Sequence, residues 1–369
     1  NDNLNRSSLI NEENITTKIL KFQNNKKQDY VKNWNSRLFL HLDNDERPIT
    51  LADAFIMPDY DAYLYHSKIN GAEYERLEQM FENFLDTEKT EVMLIAGVPG
   101  IGKTSITSWF ANKYKQDDRV IILRFRDWDY DDFENGLLNA ICNILCCNRK
   151  DLNDKILVLD GFDEIKCLNN CKNILNEFIN DKNDLERSKI IITSRPSYIE
   201  PIHFKKSIVL RPFNRQKIKK FYKNITGKEL NEMDVDIQNI DVLGVPVILY
   251  MSIISNIDIT KSTSKPELYN RIFAETGGIF DKFSEYDSGS QIMRNPNNIV
   301  CYLEFLRTTA FKMFEKNESV LSRNECEIPM LSFKGKDVSV LEFPIKYLFE
   351  NTSTNIEFIH KSIYEYFVS

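Results

Sequence analysis

The sequence predicts an α/β protein in which a parallel sheet has helices on both faces. Between about residues 90 and 212, short and continuously apolar runs alternate with amphipathic stretches. This pattern is typical of buried parallel strands joined by helices. The first apolar run leads into a glycine-rich loop that ends in Gly102-Lys103-Thr104. A loop of this composition, placed between a strand and a helix, is typical of a phosphate-binding P-loop.

Five apolar runs predict the strands: Val92–Ala96, Val120–Phe125, Ile156–Leu159, Ile190–Thr193 and Ile208–Leu210. Helical patterns between them lie at Lys103 to about Lys115, Phe133–Cys147 and Cys171–Phe178. From Asn214 onward helices replace the strands, at Arg215–Lys223, Val242–Ile254, Pro266–Phe283 and Pro296–Lys316. The last segment, Val338–Ser369, mixes short strands with a final helix. A chain of 369 residues with this change of pattern is predicted to hold two or three domains.

Composition narrows the classes of function. The chain has 48 Lys and Arg against 55 Asp and Glu, a net charge of −7, so it lacks the basic field typical of nucleic-acid binding. Its seven cysteines form no CxxC pair, which favours reduced thiols and a cytoplasmic location. The longest apolar run, Val245–Ile254, has about half the roughly 20 residues that a membrane-spanning helix needs. We therefore expect no membrane association and no nucleic-acid binding through this core.

Each residue type in the glycine-rich loop suits the binding of phosphate. Glycines let the backbone turn its amide groups inward toward phosphate oxygens, and the following helix adds its N-terminal dipole. Lys103 supplies a positive charge to the β and γ phosphates, and the Thr104 hydroxyl is a candidate Mg²⁺ ligand. The predicted nucleotide-binding residues of the loop are Gly97, Val98, Pro99, Gly100, Ile101, Gly102, Lys103, Thr104 and Ser105.

A second group of candidate residues follows the strand predicted at Ile156–Leu159. Asp160 lies at its carboxyl end, where ligands bind in open α/β sheets, and is predicted to hold Mg²⁺ together with Thr104. Gly161 then allows a tight turn that carries Asp163 and Glu164 to the same edge. One of these two acids is expected to orient or deprotonate the water that attacks the γ phosphate, and Glu164 is favoured modestly over Asp163.

A third strand ends in Ile190-Ile-Ile-Thr-Ser-Arg-Pro196. Its end places Arg195 at the same edge of the predicted sheet, where a guanidinium group can sense or stabilise the charge of a γ phosphate. Taken alone, an arginine after a strand is more often solvated or ion-paired. The order of the three motifs favours the sensing role.

Together the three motifs resemble those of the NACHT nucleotide-binding proteins of the STAND class, which are switch ATPases of the immune type. The motifs are GVPGIGKTS at residues 97–105, LVLDGFDE at 157–164 and IIITSRP at 190–196. The small residue after Asp160, with two acids beyond it, differs from ordinary AAA+ proteins, in which a glutamate directly follows the aspartate. The resemblance implies a P-loop NTPase sheet followed by a helical lid domain and a winged-helix domain.

The resemblance also assigns residues beyond the sheet. Gly244-Val-Pro246 is similar to the family motif whose proline lies against adenine, and Phe358-Ile-His360 looks like the winged-helix segment whose histidine contacts the β phosphate of ADP. Two upstream segments, Tyr30-Val-Lys-Asn-Trp34 and Ile49–Tyr60, resemble the lead-in of bacterial members. By family position, the resemblance implies that Tyr60 or its neighbours border the base. The implied divisions are a lead-in or linker at 1–47, a nucleotide-binding domain at 48–212, the lid at 213–290 and the winged helix at 291–369.

The predicted function is that of an ATP/ADP switch with weak ATPase activity. The resemblance implies a closed state held by ADP, ATP-driven self-association into an oligomer, and a foreign ligand, possibly from phage, recognised by a sensor region outside this chain. One alternative is a cycling AAA+ motor or loader that acts on nucleic acid or protein. Another is a GTPase, which the sequence disfavours because Asp181-Lys-Asn-Asp184 has the wrong first residue for an NKxD motif and follows a helical stretch.

Overall fold

A computed structural model describes the chain in stretches, which are residues 22, 24–36, 38, 49–64, 67–68, 76–128, 133, 135–165, 171–181, 184–199, 204–230, 239–261, 264–274, 276–282, 292–293, 295–318, 320–342, 349–351, 355–358 and 361–368. These residues divide into two compact units. The first comprises the described parts of Asn1–Asn33, Tyr60–Ala96 and Ile106–Val209. The second comprises those of Trp34–Asp59, Gly97–Ser105 and Leu210–Ser369.

The first unit is built on a seven-stranded sheet. Its strands are β1 Tyr60–Leu64, β2 Ser67–Lys68, β3 Glu91–Ala96, β4 Val120–Arg124, β5 Ile156–Asp160, β6 Lys189–Ser194 and β7 Lys206–Leu210. They lie in the order β2-β1-β7-β3-β6-β5-β4. β3 pairs in parallel with β6 and β7, and β5 pairs in parallel with β4 and β6. The predicted parallel sheet is therefore confirmed, with all five predicted strands in it.

The strands β3, β5 and β6 are buried along almost their whole length. Burial on both faces explains why they read as continuous apolar runs rather than as alternating ones. The sequence analysis did not predict β1 and β2, which pair with each other in the antiparallel direction. β1 has the sequence YDAYL, too short and too polar to show a strand pattern.

Within the described residues, the α-helices are α1 Lys27–Trp34, α2 Leu51–Ala54, α3 Leu77–Leu85, α4 Lys103–Lys113, α5 Leu137–Ile144, α6 Cys171–Asp181, α7 Pro196–Ile199, α8 Arg215–Thr226, α9 Ile240–Leu243, α10 Pro246–Ile254, α11 Lys265–Ile272, α12 Pro296–Lys316 and α13 Lys361–Val368. None of the helices within the described residues is long and apolar enough to cross a membrane.

The second unit contains α8 to α13 around one continuous apolar core that extends from Ala54 to Phe367. Five further strands accompany these helices: β8 Val320–Ser322, β9 Met330–Phe333, β10 Lys336–Ser339, β11 Phe349–Asn351 and β12 Asn355–Phe358. β9 and β10 form an antiparallel pair, and β11, β12 and β8 form a three-stranded sheet in that order. A helix followed by short strands and a final helix is compatible with the predicted winged helix. The lid, the winged helix and the four domain divisions stay predictions.

Three predicted helices are shorter or interrupted, and glycine or proline explains two of the changes. The stretch predicted at Val242–Ile254 forms α9 and α10, because Pro246 begins a new helix at its first position and Val245 before it is extended. The stretch predicted at Pro266–Phe283 ends as α11 at Ile272, and the chain then turns at Gly277, whose φ is +77°. The third stretch, Phe133–Cys147, is reduced to α5.

Candidate functional site

The glycine-rich loop connects Ala96, the last residue of β3, with Lys103, the first residue of α4. Gly100 and Gly102 have φ values of +74° and +104°, a backbone region that other residues rarely adopt. Gly97 is required for a different reason. A Cβ at this position would lie 2.6 Å from Cγ2 of Ile101, so the loop has no space for a side chain there.

Lys103 folds back over its own loop. Its Nζ donates hydrogen bonds to the carbonyl oxygens of Gly97 at 2.8 Å and Val98 at 3.4 Å. The positive charge therefore lies against the loop that is predicted to bind phosphate. Thr104, the predicted Mg²⁺ ligand, is exposed in the first turn of α4, and Ser105 beside it is half-buried.

An apolar pocket with a volume of about 160 Å³ lies in the second unit, beside this loop. Gly100 is in direct contact with the start of α10, because a Cβ on it would lie 2.4 Å from Cγ1 of Val247. Pro246, predicted to lie against adenine, lines the pocket. Three groups of residues complete the lining, from the loop, from residues 38–58 and from the α8–α10 region: Gly100, Ile101, Gly102 and Ser105; Leu38, Leu51, Ala54, Phe55, Ile56 and Pro58; Phe213, Phe221, Val247 and Tyr250.

Asp160 lies at the end of β5 in the first unit and is held by three hydroxyl groups. Thr193 and Thr107 donate hydrogen bonds to its Oδ1 at 2.6 and 3.1 Å, and Tyr30 donates one to its Oδ2 at 2.7 Å. All four side chains are buried. The Thr193 hydroxyl also accepts a hydrogen bond from the backbone amide of Gly161 at 2.8 Å, which ties the turn after β5 to β6.

Asp163 and Arg195 form a buried ion pair in the same unit. Nε of Arg195 lies 2.9 Å from Oδ2 of Asp163, and the Arg195 backbone amide donates to Oδ1 at 3.0 Å. Glu164 is placed differently. Its carboxyl group lies over Gly161, where a Cβ would be only 2.8 Å from Cδ of Glu164. Gly161 is therefore required twice: its φ of +75° makes the turn, and its lack of a side chain leaves room for the carboxyl group of Glu164.

The structure brings together some of the predicted residues and adds others. In the first unit it gathers Asp160, Asp163, Glu164 and Arg195 at the ends of β5 and β6. Tyr30 belongs to the segment that resembles the bacterial lead-in, but the resemblance gave it no role, and its contact with Asp160, 130 positions later, was not predicted. Tyr60, predicted near the base, is the buried first residue of β1, and Pro58 just before it lines the pocket. His360 lies outside the described residues, and its predicted contact with ADP stays a prediction.

The donor set fits a magnesium ion that is shared with a nucleotide. Within the described stretches, no cluster of three or more His, Cys, Asp or Glu side chains could hold a metal by itself. Magnesium in nucleotide sites typically takes one or two carboxylates together with phosphate oxygens and water. One buried aspartate beside hydroxyl groups matches this requirement better than it would match a site for zinc or a structural calcium ion.

Comparisons with known proteins agree with the loop and the sheet. A family model described as the NACHT domain matches residues 91–229. The search of curated proteins finds no match. On this family match, residues 91–229 form a NACHT domain.

Among solved structures, similarity is found to a STAND protein with a tetratricopeptide repeat sensor from Pyrococcus horikoshii, at 13% identity and a TM-score of 0.35, over 80% of this chain and 42% of that chain. The Orc1 protein of Aeropyrum pernix in complex with DNA matches at 13% identity and a TM-score of 0.34, over 68% of this chain and 73% of the Orc1 chain. RuvB of Thermotoga maritima matches at 14% identity and a TM-score of 0.30, over 66% of this chain and 78% of the RuvB chain. These likenesses are distant, and the assignment of a NACHT domain depends on the family match over residues 91–229.

Proposed function

We propose that the chain is a switch that binds ATP and ADP with Mg²⁺, hydrolyses ATP weakly, and changes its state of assembly with the nucleotide. The observation that carries this proposal is the apolar pocket, because the phosphate-binding loop and the first turn of α10 line it together. A base in this pocket would place its phosphates beside a loop that has Lys103 against it. The nucleotide would then contact two parts of the chain that are separated by more than 130 residues.

Lys103 and Asp160 have separate tasks in this proposal. Lys103 would exchange its bonds to the loop carbonyls for bonds to phosphate oxygens. Asp160 would hold Mg²⁺ with Thr104, and the metal would supply positive charge to the β and γ phosphates. Helix α4 supports the pairing of these two ligands, because Thr107 lies one helical turn after Thr104 and donates to Asp160.

The two acids after Asp160 differ in their readiness to activate water. Asp163 is engaged by the buried guanidinium of Arg195, so its charge is already compensated. We propose that Glu164 orients the attacking water, that Asp163 holds Arg195, and that Arg195 senses the γ phosphate when this pair rearranges. The contacts of Asp163 support this division of roles between the two acids.

The proposed closed state would be held by ADP, with Pro246 against the base and His360 against the β phosphate. Replacement of ADP by ATP would open this state and permit assembly into an oligomer. A ligand shifts such an equilibrium only through different affinities for the two states. A foreign ligand, for example a phage component, would act through a sensor region outside this chain. We propose that the protein acts in antiviral defence as a cytoplasmic switch, a role that rests on the resemblance of its motifs.

The first experiment identifies the nucleotide that the purified chain retains and compares its particle size with ADP and with ATP. We expect retained ADP, negligible basal turnover, and a larger particle with Mg-ATP. Lys103→Ala should abolish tight ATP binding by calorimetry, while Lys113→Ala, at the other end of the same helix, should leave it unchanged. Undiminished ATP binding by Lys103→Ala would refute the site.

A second experiment separates the switch from a cycling motor. Steady ATP hydrolysis that is stimulated by DNA, RNA or a protein polymer would favour the motor and count against the switch. His360→Ala should release ADP and promote assembly. If ADP occupancy and particle size both stay unchanged in this variant, the proposed ADP-held closed state is wrong.

A further inference from the structure

The N-terminal segment is bonded along the edge of the NACHT sheet. The sheet ends at β4, and the backbone amide of Lys26 donates to the carbonyl of Ile122 in this strand at 2.8 Å. The amide of Ile122 donates in turn to the side chain of Asn25 at 3.0 Å. The segment therefore satisfies backbone groups of an edge strand that would otherwise lack partners.

Helix α1 begins immediately after this contact and is fixed at its first turn. Lys27, a buried residue, donates from Nζ to the carbonyl oxygen of Asp117 at 3.0 Å. The helix then carries Tyr30 inward, where its side chain is only 2% exposed. Tyr30 is thus held by the sheet edge and by the first turn of its own helix, and its hydroxyl reaches Oδ2 of Asp160 at 2.7 Å.

The other two donors to Asp160 share one oxygen. Thr193 and Thr107 both bond to Oδ1, whereas Tyr30 alone among the described residues donates to Oδ2. Two donors on one oxygen leave the carboxylate free to rock about that point. The donor on the second oxygen fixes its plane and so sets the direction of the remaining lone pairs. Loss of a group that orients a metal ligand in this way typically lowers metal affinity by about 10- to 100-fold.

We propose that Tyr30 is a positioning residue of the magnesium site, and that it couples the docking of the N-terminal segment to the binding of Mg-nucleotide. This inference rests on the proposed role of Asp160 as a magnesium ligand. Because coupling between two sites is reciprocal, Mg-ATP should tighten the docking of residues 25–34, and undocking of this segment should weaken the binding of Mg²⁺. A protein region attached before residue 22 would then act on the nucleotide site through Tyr30.

The test uses Tyr30→Phe, which removes the hydroxyl and keeps the ring. We expect the affinity for Mg²⁺, titrated into the ATP-loaded chain, to fall by about tenfold, while ATP binding measured in EDTA stays unchanged. Asn25→Ala removes the side-chain bond to Ile122 and so weakens the attachment of the segment to β4 without touching Asp160; it should show the same pattern more weakly. Tyr302→Phe is the matched control, since Tyr302 is a buried tyrosine whose hydroxyl has no hydrogen-bond partner within the described residues.

A second measurement reads the coupling in the other direction. In the wild-type chain, Mg-ATP should slow hydrogen exchange at the backbone amides of α1 relative to ATP in EDTA, and Tyr30→Phe should abolish this difference. A purely structural role for the hydroxyl would make exchange faster under both conditions and leave the difference intact.

The outcomes distinguish failure of the inference from failure of the proposed function. If the wild-type chain binds ATP equally well with and without Mg²⁺, or if Asp160→Asn leaves Mg²⁺ affinity intact, the magnesium role of Asp160 is wrong. If the wild type needs Asp160 for Mg²⁺ but Tyr30→Phe matches it in Mg²⁺ affinity and in exchange, only the role of Tyr30 is refuted.

Discussion

Gly100→Ala tests the contact between the phosphate-binding loop and α10. The new Cβ would lie 2.4 Å from Cγ1 of Val247, and φ at this position is +74°. An overpacked contact of this kind costs about 1–3 kcal/mol, and left-handed strain at a residue other than glycine adds about 1–2 kcal/mol. Val247 is β-branched and rotates little, so it cannot move aside cheaply. We expect Gly100→Ala to lose about 2–5 kcal/mol of folding free energy in the second unit.

A double-mutant cycle separates the two costs. Val247→Ala removes the group that the new Cβ would meet but leaves the backbone strain, so the double variant should recover about 1–3 kcal/mol relative to the sum of the single variants. Gly102→Ala is the matched control. Its φ is +104°, but the nearest atoms to a Cβ there lie 3.9 Å away, in Ser105. Val247→Ala should therefore not rescue Gly102→Ala.

Hydrogen exchange at the amides of α10 measures the local free energy of opening in the second unit, and calorimetry with ADP measures the effect on nucleotide binding. We expect Gly100→Ala to weaken ADP binding and Val247→Ala to restore part of it. If the double variant loses as much free energy as the two single variants together, the loop does not touch α10 in solution. The loop and α10 would then not share a pocket.

Three further variants test the first unit. In a urea titration, Thr193→Val should lower the free energy of unfolding of this unit by about 2–4 kcal/mol, since it removes a hydrogen bond to the buried Asp160 carboxylate and leaves the Gly161 amide unpaired. Thr193→Ser keeps the hydroxyl and should lose much less. Asp163→Ala should cost about 3–5 kcal/mol by leaving Arg195 buried without its partner, and Asp163→Ala with Arg195→Met should be more stable than Asp163→Ala alone. Burial raises the pKa of Glu91, but the hydrogen bond and charge of Lys206, together with smaller contributions from Thr87 and Lys189, outweigh this and hold the pKa below its usual value. The Glu91–Lys206 pair therefore stabilises the fold at pH values above the pKa of Glu91 in the unfolded chain, and this contribution is lost as the pH falls through the lower pKa of the folded chain. Lys206→Met should therefore make the free energy of unfolding depend less on pH in the acid range.

The sequence predicted the sheet and its loop well because both have strong local signals. Buried parallel strands are apolar at every position, and the loop combines glycines, lysine and a hydroxyl in one short run. The boundaries inside Val242–Ile254 were harder, since apolar residues continue through the break. The break lies at Val245, which is extended, and at Pro246, which begins the new helix. Gly244 is required just before it, because a Cβ there would meet backbone oxygens of Ile240 and Phe213 at 2.8 and 2.9 Å, a restriction that comes from packing and not from periodicity.

The partners of the site residues were less predictable than the residues themselves. The Asp163–Arg195 pair joins two separate motifs, and the order of the motifs along the chain favoured a residue facing the phosphate in each of them. The lead-in match around Tyr30 gave its hydroxyl no role, because that role depends on an edge strand that follows Tyr30 by about 90 residues. A hydrogen bond over such a distance in sequence leaves no local pattern, so only the three-dimensional arrangement reveals it.

The two aspartates of the DGFD sequence, Asp160 and Asp163, have partners of different charge, and this difference suits them to different roles. Asp163 is paired with a guanidinium group, so binding a cation there would require breaking a buried ion pair. Asp160 is held by hydroxyl groups, which orient the carboxylate but carry no net charge. A buried carboxylate without a cationic partner is costly, and a bound cation relieves this cost. The arrangement therefore favours magnesium at Asp160 over Asp163, although the two acids are three residues apart and are similar in burial.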